Sequence, residues 1–211
     1  MADDITQGTA SFISEMGVLK RVARTGWWFT GNKAPESVAE HSFRVGVIGS
    51  VLAMMEGVDP ARVALLCLFR DSQETRVGDI PHSGRKYLKA APNREVPADP
   101  VANAHPAVRT GVQGALDEYE AGETSEAVVA RDADKPERLV QAVEYREQGY
   151  SLTQNWIDTS LASLKTTSAK GAGRCRAEHP WSPRPRGAPD IPARTAAMSW
   201  WRRGRSRVRS A

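Results

Sequence analysis

Cysteine is scarce in this chain: Cys67 and Cys175 are its only two among 211 residues. Two thiols cannot form a disulfide framework, and Cys67 lies inside an apolar run, so the pair suits a reducing compartment. Long hydrophobic runs are missing too. No segment approaches the roughly 18 apolar residues of a membrane span, and the longest, residues 45–55, is broken by glycine and flanked by charge. The opening MADDITQG has no signal-peptide pattern. These absences predict a cytoplasmic protein with no membrane segment. Strict apolar–polar alternation is lacking as well, which argues against strands and leaves an all-α class. No internal repeat occurs.

What is present is an ordinary globular composition, 40% hydrophobic and 26% charged, with length enough for one domain and a substantial core. The net charge of +4 is unevenly placed. Residues 171–211 hold ten Arg, no Lys and only Glu178 and Asp190 as acids, so this stretch carries +8 and the other 170 residues carry −4. Rich in Pro, Arg, Ala and Gly, and without helical periodicity, the stretch predicts disorder. The expected organisation is therefore a domain over residues 1–170 and an Arg/Pro-rich tail over 171–211. Three readings of the tail stay open. Arg interleaved with Trp181, Trp200 and Trp201 can bind phosphates and stack on bases or meet a membrane surface. The stretch can equally be an inert appendage, or out-of-frame translation of GC-rich DNA.

Along the body, Phe12, Met16 and Leu19 predict a first helix over about residues 8–22. RTGWWFTGNKAPES reads as a structured loop. Ser37-Val-Ala-Glu40 is a capping box, so the next helix starts near Ser37 and carries Val45, Ile48 and Leu52 inward, with His41 on its first full turn. Asp59-Pro60 starts a third helix, apolar on nearly every side and hence central. That run ends abruptly in Arg70-Asp71, with Glu74 and Asp79 following. Residues 92–106 read as a polar, proline-rich connection. Val112, Leu116 and Tyr119 predict a further helix. Two more, over about 125–134 and 137–145, should meet at Pro136, because Lys135 is disfavoured in helical geometry before proline. Leu152, Trp156, Ile157, Leu161 and Leu164 predict the last.

A buried helix ending in a cluster of ionisable groups often serves chemistry rather than packing. Hydrolysing a phosphate ester at neutral pH needs an activated water and positive charge against the phosphoryl oxygens, and a divalent cation held by imidazole and carboxylate supplies both. His41 in SVAEHS, Asp71 in FRDSQETRVGDIP and Asp134 in ARDADKPERL offer such donors. Their spacing resembles the HD-domain metal-dependent phosphohydrolases, and within them the small 5'-deoxynucleotidase branch, over about residues 12–165.

The resemblance implies an HD-domain helical bundle that cleaves phosphate from deoxyribonucleoside 5'-monophosphates. It implies His41, Asp71 and Asp134 as ligands of a divalent cation (Co, Mn, Zn or Mg). Glu74 and Asp79 take catalytic and positioning roles, and Arg24 and Trp27 in LKRVARTGWWF contact phosphate and sugar or base. It also implies a homodimer, with a nucleotide as the partner and nucleic acid reached only through the tail.

Blander explanations stand beside these. His41 can be a hydrogen-bonded core histidine, Asp71 a cap and Asp79 a turn residue. Asp132 competes with Asp134, and Trp27 and Trp28 can be core aromatics. One position departs from the family pattern: Arg70 stands where a second histidine ligand belongs. A guanidinium has no lone pair to donate and stays protonated, so it cannot ligate and repels a cation. It either pairs with the carboxylates, leaving an inactive relative able to bind nucleotides, or swings aside and leaves residual ligation.

Overall fold

The computed structural model describes residues 2–88 and 95–178. Its α-helices are α1 (Ala2–Met16), α2 (Val38–Glu56), α3 (Pro60–Phe69), α4 (Glu74–Val77), α5 (His82–Arg85), α6 (Glu95–Val101), α7 (Pro106–Ala121), α8 (Ser125–Glu147), α9 (Gln154–Ser163) and α10 (Thr167–Glu178). Short 3-10 turns cover Gly17–Lys20, Thr25–Thr30 and Ser151–Thr153. Among the described residues there is no strand, only an isolated bridge between Ala23 and Ser37. The class is all-α.

Local chemistry sets where the central helices begin. The Ser37 hydroxyl accepts from the Glu40 amide while the Glu40 carboxylate accepts from the Ser37 amide at 2.6 Å, so α2 starts on a complete capping box. At α3 the Asp59 carboxylate accepts from the Ala61 amide at 2.9 Å, and Pro60 fills the first helical position. Helices α2, α3 and α8 pack on one another around Val45, Leu52, Val63, Leu66 and Ala133. Gly49 permits the close approach of α2 to α3: a Cβ there would lie 2.8 Å from Cys67 Sγ. A second cluster, with Trp27, Leu139, Tyr145 and Ile157, joins α8 to α9 and the Thr25–Thr30 turn.

Four features differ from the sequence expectation. Helix α1 starts at Ala2 and ends at Met16, and Leu19 is buried from a 3-10 turn instead. The connection at 92–106 contains a helix, α6, whose Pro97, Pro100 and Val101 are buried. The two helices expected to meet at Pro136 are one, because α8 runs unbroken through it. Proline inside a helix removes one backbone hydrogen bond at a cost of roughly 3 kcal/mol. Here the residue is buried and the helix packs on α2, α3, α9 and α10, which offsets that loss. Finally, α10 crosses the boundary expected at residue 171. Its Gly173 sits where a Cβ would meet Leu164 Cδ1 at 2.7 Å, so 171–178 belong to the packed body. The expectations for 179–211, including Trp181, Trp200 and Trp201, lie outside the described residues.

Candidate active site

Three elements converge at one end of the bundle. The first turn of α2 brings His41, the end of α3 brings Arg70 and Asp71, and the middle of α8 brings Asp134. His41 Nε2 lies 3.3 Å from Asp134 Oδ1 and 3.7 Å from Asp71 Oδ2. Three donors this close could share one ion, given metal–ligand bonds of about 2.0–2.2 Å. The centre of the triangle is taken, however. Arg70 Nη2 makes 2.8 Å contacts with both Asp71 Oδ2 and Asp134 Oδ1, and also touches His41 Nε2. The arrangement as folded therefore does not fit an ion at that point. Of the two positions open to Arg70 on sequence grounds, the chain adopts the pairing with the carboxylates.

Electrostatics follow from this placement. Burial would raise the pKa of Asp134, but the Arg70 guanidinium, helped by Arg24, holds it well below the usual carboxylate range. Burial would discharge Arg70, but Asp134 and Asp71 keep it protonated. His41 is fully buried, and its Nδ1 lies 2.6 Å from Glu137 Oε2. Burial lowers its pKa while Glu137 and Asp134 raise it, to about 9. The Arg70 contact pulls the other way and is the stricter constraint. A guanidinium N–H only donates, so Nε2 must accept, and the ring is neutral with its proton on Nδ1 directed at Glu137.

Glu137 is a site residue that the sequence reading missed. Arg44 holds it in turn, donating to Glu137 Oε1 at 3.1 Å and to Glu144 Oε2 at 2.7 Å. The Asp134-x-x-Glu137 spacing was the available signal, since residues three apart share a helix face. Glu36, His41 and Glu137 also gather ligand atoms within 4.8 Å of one another. That gap already holds the Nδ1 proton, and Arg44 neutralises its carboxylates, so it reads as the support of His41. Asp132, the rival of Asp134, points elsewhere: it accepts from the Thr166 amide at 2.8 Å and the Lys165 amide at 2.9 Å.

A cleft of about 610 Å³ opens over the cluster, lined by Arg24, Trp27, Glu74, Asp79, Asp134, Arg138, Asn155 and Trp156 among others. Glu74, the first residue of α4, has a buried Oε2 with no hydrogen-bond partner. Burial, Asp71 and Asp79 push its pKa up to about 8. Asp79 accepts from the Thr25 amide at 2.6 Å and pairs with Arg24 Nη1 at 3.6 Å, so it fixes the loop that presents Arg24 to the cleft. Trp27 is 2% exposed, donates from Nε1 to Glu36 at 3.1 Å, and stacks on Trp156 at 5.8 Å. It forms the floor of the cleft and a core contact at once. His82 lies exposed on the rim, away from the triangle.

The HD domain sequence profile matches residues 16–175. The 5'-deoxynucleotidase HDDC2 of Xenopus laevis is 33% identical over 138 residues, covering 64% of this chain and 68% of that protein. The Dictyostelium discoideum protein of the same name is 31% identical over 150 residues, covering 67% and 79%. A conserved hypothetical protein from Pyrococcus furiosus superposes with a TM-score of 0.60 at 29% identity, over 76% of this chain and 94% of that one. With a profile match over most of its length, and with relatives of this kind, the chain belongs to the HD-domain family as a phosphohydrolase of the 5'-deoxynucleotidase-like type.

Proposed function

We propose that the cleft takes a deoxyribonucleoside 5'-monophosphate and that its hydrolysis is impaired because Arg70 holds the position of the cation. The substrate class rests on the relatives' names and on the cleft. Its volume suits a nucleotide-sized ligand, with Arg24 and Arg138 for the phosphate and the Trp27–Trp156 stack beside the space for sugar and base. The impairment rests on one observation, the contact of Arg70 Nη2 with His41, Asp71 and Asp134 together. In this arrangement Glu74 sits beside the cleft as a protonated acid, Arg24 faces the phosphate, and Glu137 holds the His41 ring. The same observation favours a second reading, a protein that binds the nucleotide and does not turn it over.

The Arg70→His variant separates the two. Under the first reading it takes up about one divalent transition-metal ion per chain and releases phosphate at least about 100-fold faster than the parent, a change of two orders worth roughly 2.7 kcal/mol. Nucleotide binding by both proteins with no phosphate release from either supports the second. We further place the protein in the cytoplasm, a reading supported by Cys67 and Cys175 both being free thiols.

A further inference from the structure

Two aromatic rings of the Thr25–Thr30 turn border the cleft, and they differ in what surrounds them. Trp27 belongs to the core: Trp156 stacks on it at 5.8 Å, Tyr145 meets it nearly at right angles at 5.2 Å, and 2% of it is exposed. It bounds the cleft but has no free face to offer a ligand. Phe29 is 58% exposed, lines the same cleft, and makes no ring–ring contact among the described residues. Gly26 stands beside it. In a 3-10 turn, positions three apart eclipse one another, so Gly26 and Phe29 share one side, and both line the cleft. A Cβ on Gly26 would meet nothing within 4 Å, and its φ is not positive. Neither packing nor backbone conformation therefore calls for glycine there, whereas the close approach of a ligand does.

We infer that Phe29 is the residue on which the nucleobase stacks, and that the bare backbone at Gly26 leaves the room for it. This assignment rests on the nucleotide reading of the cleft and names the group that holds the base. Three observations favour it. The first is order along the chain. Arg24 caps the turn at its start and faces the cleft, and Phe29 stands near its end. One turn thus offers a cation and then a free ring, the two chemistries that a nucleotide joins in one molecule. The second is rigidity. The Thr25 hydroxyl donates to the Asp79 carbonyl and the Thr30 hydroxyl to the Trp27 carbonyl, each at 2.7 Å. The Gly31 amide donates to the Trp28 carbonyl at 3.0 Å. Tied at both ends, the turn holds the ring in place before a ligand arrives, which lowers the entropy lost on binding. The third is what would cover the ring. Phosphate or a sugar phosphate would leave Phe29 in water, and a ligand with a flat apolar group beyond its phosphate would not.

Contact with the base then falls to Phe29, while Trp27 sets the shape of the floor through Trp156 and Tyr145. Stacking of a base on an aromatic side chain strengthens binding by about tenfold or more. The ring should give that gain only to ligands that carry a base.

Calorimetric titration of the full chain with deoxyadenosine monophosphate and with deoxyribose phosphate tests it, because the two ligands differ in the base. The parent should bind the nucleotide about tenfold or more tightly than the sugar phosphate. Phe29→Ala should remove that advantage and leave the affinity for deoxyribose phosphate as it was. Phe29→Tyr, which keeps the ring, should retain the parental preference. Gly26→Val, which fills the slot from its backbone side, should weaken the nucleotide more than the sugar phosphate. Phe29 is exposed and a Cβ at Gly26 meets nothing, so these variants should melt as the parent does. A parent that binds the nucleotide no better than Phe29→Ala does overturns the inference and leaves the nucleotide reading standing. So does a Phe29→Ala variant that loses both ligands equally, which would make the ring a support of the turn. Failure of Phe29→Tyr to retain the preference overturns it as well. A parent that binds neither ligand overturns the inference together with the nucleotide reading.

Discussion

Asp132 and Asp134 sit two residues apart on α8 and face different partners: Asp132 receives the Lys165 and Thr166 amides, Asp134 the Arg70 guanidinium. The Asp132 carboxylate, fully buried, receives the Lys165 and Thr166 amides and the Thr166 hydroxyl, closing the turn that starts α10. Asp134, on the adjoining face, enters the cleft. Asp132→Ala should leave those amides without an acceptor and lower unfolding free energy by about 2–4 kcal/mol. Nucleotide binding should stay unchanged at temperatures where the variant is folded. Chemical denaturation together with calorimetric titration checks both, and a loss of binding without a loss of stability would assign Asp132 to the site.

Arg70 should reveal itself through metal-dependent stability. Removing the guanidinium by Arg70→Ala leaves Asp71 and Asp134 facing His41 with their charge uncompensated, which should cost about 3–5 kcal/mol. Added Mn²⁺ or Zn²⁺ should restore part of that loss, by about 2.7 kcal/mol at one hundred times the dissociation constant. The parent's melting temperature should not respond to the same ions. Thermal scans across a metal titration decide the matter. A parent that is itself stabilised would show that Arg70 leaves its place readily.

Asp71 gives the control for the restored site. In the Arg70→His background, Asp71→Ala should remove the metal and the phosphate release gained by that change, returning both to parental levels. Metal content by atomic emission and phosphate release assayed together test this. Activity that survives without Asp71 would move the chemistry to another group.

Glu74 should make stability fall as pH rises. Its pKa is lifted from an ordinary 4.5 to about 8, so between those values the folded chain holds a proton that the unfolded chain has lost. This contribution is fully present below about pH 4.5 and is lost as pH climbs through about 8, on the order of a few kcal/mol. Glu74→Gln, which keeps the neutral shape, should therefore match the parent near pH 4.5 and exceed it in melting temperature above pH 8. Parallel pH dependences of the two proteins would contradict the shift.

Gly49→Ala should destabilise the packing beneath the site. A Cβ at 2.8 Å from Cys67 Sγ and 3.0 Å from Val63 Cγ1 forces α2 and α3 apart. The expected cost is about 1–3 kcal/mol. Pairing it with Cys67→Ala, which opens space at the same point, should recover part of the loss, and additive effects would place the strain elsewhere.

Which features the sequence revealed depended on how far apart the partners lie. The capping box at Ser37–Glu40 and the Asp59-Pro60 start are contacts within three residues, so composition announces them. His41, Asp71 and Asp134 were legible only as a spacing that resembles a family. Glu137 escaped because its partner His41 lies 96 residues away. Pro136 misled for the opposite reason: the local rule was sound, but packing on both sides of α8 outweighed it. Gly171 looked like the start of a new composition, yet Gly173 is needed where α10 presses on Leu164.

The cation at the centre of this site is attached to the backbone, and that changes what governs its presence. A bound ion comes and goes with its concentration in the medium and can be stripped by a chelator. A guanidinium on its own tether cannot be diluted, competed away by a neighbouring metalloprotein, or starved out of a growing cell. Its occupancy is a rotamer population, reset on the timescale of side-chain motion. Under the proposed reading the fold is uncoupled from metal supply, and ligand binding in the cleft should be equal in metal-rich and metal-poor surroundings.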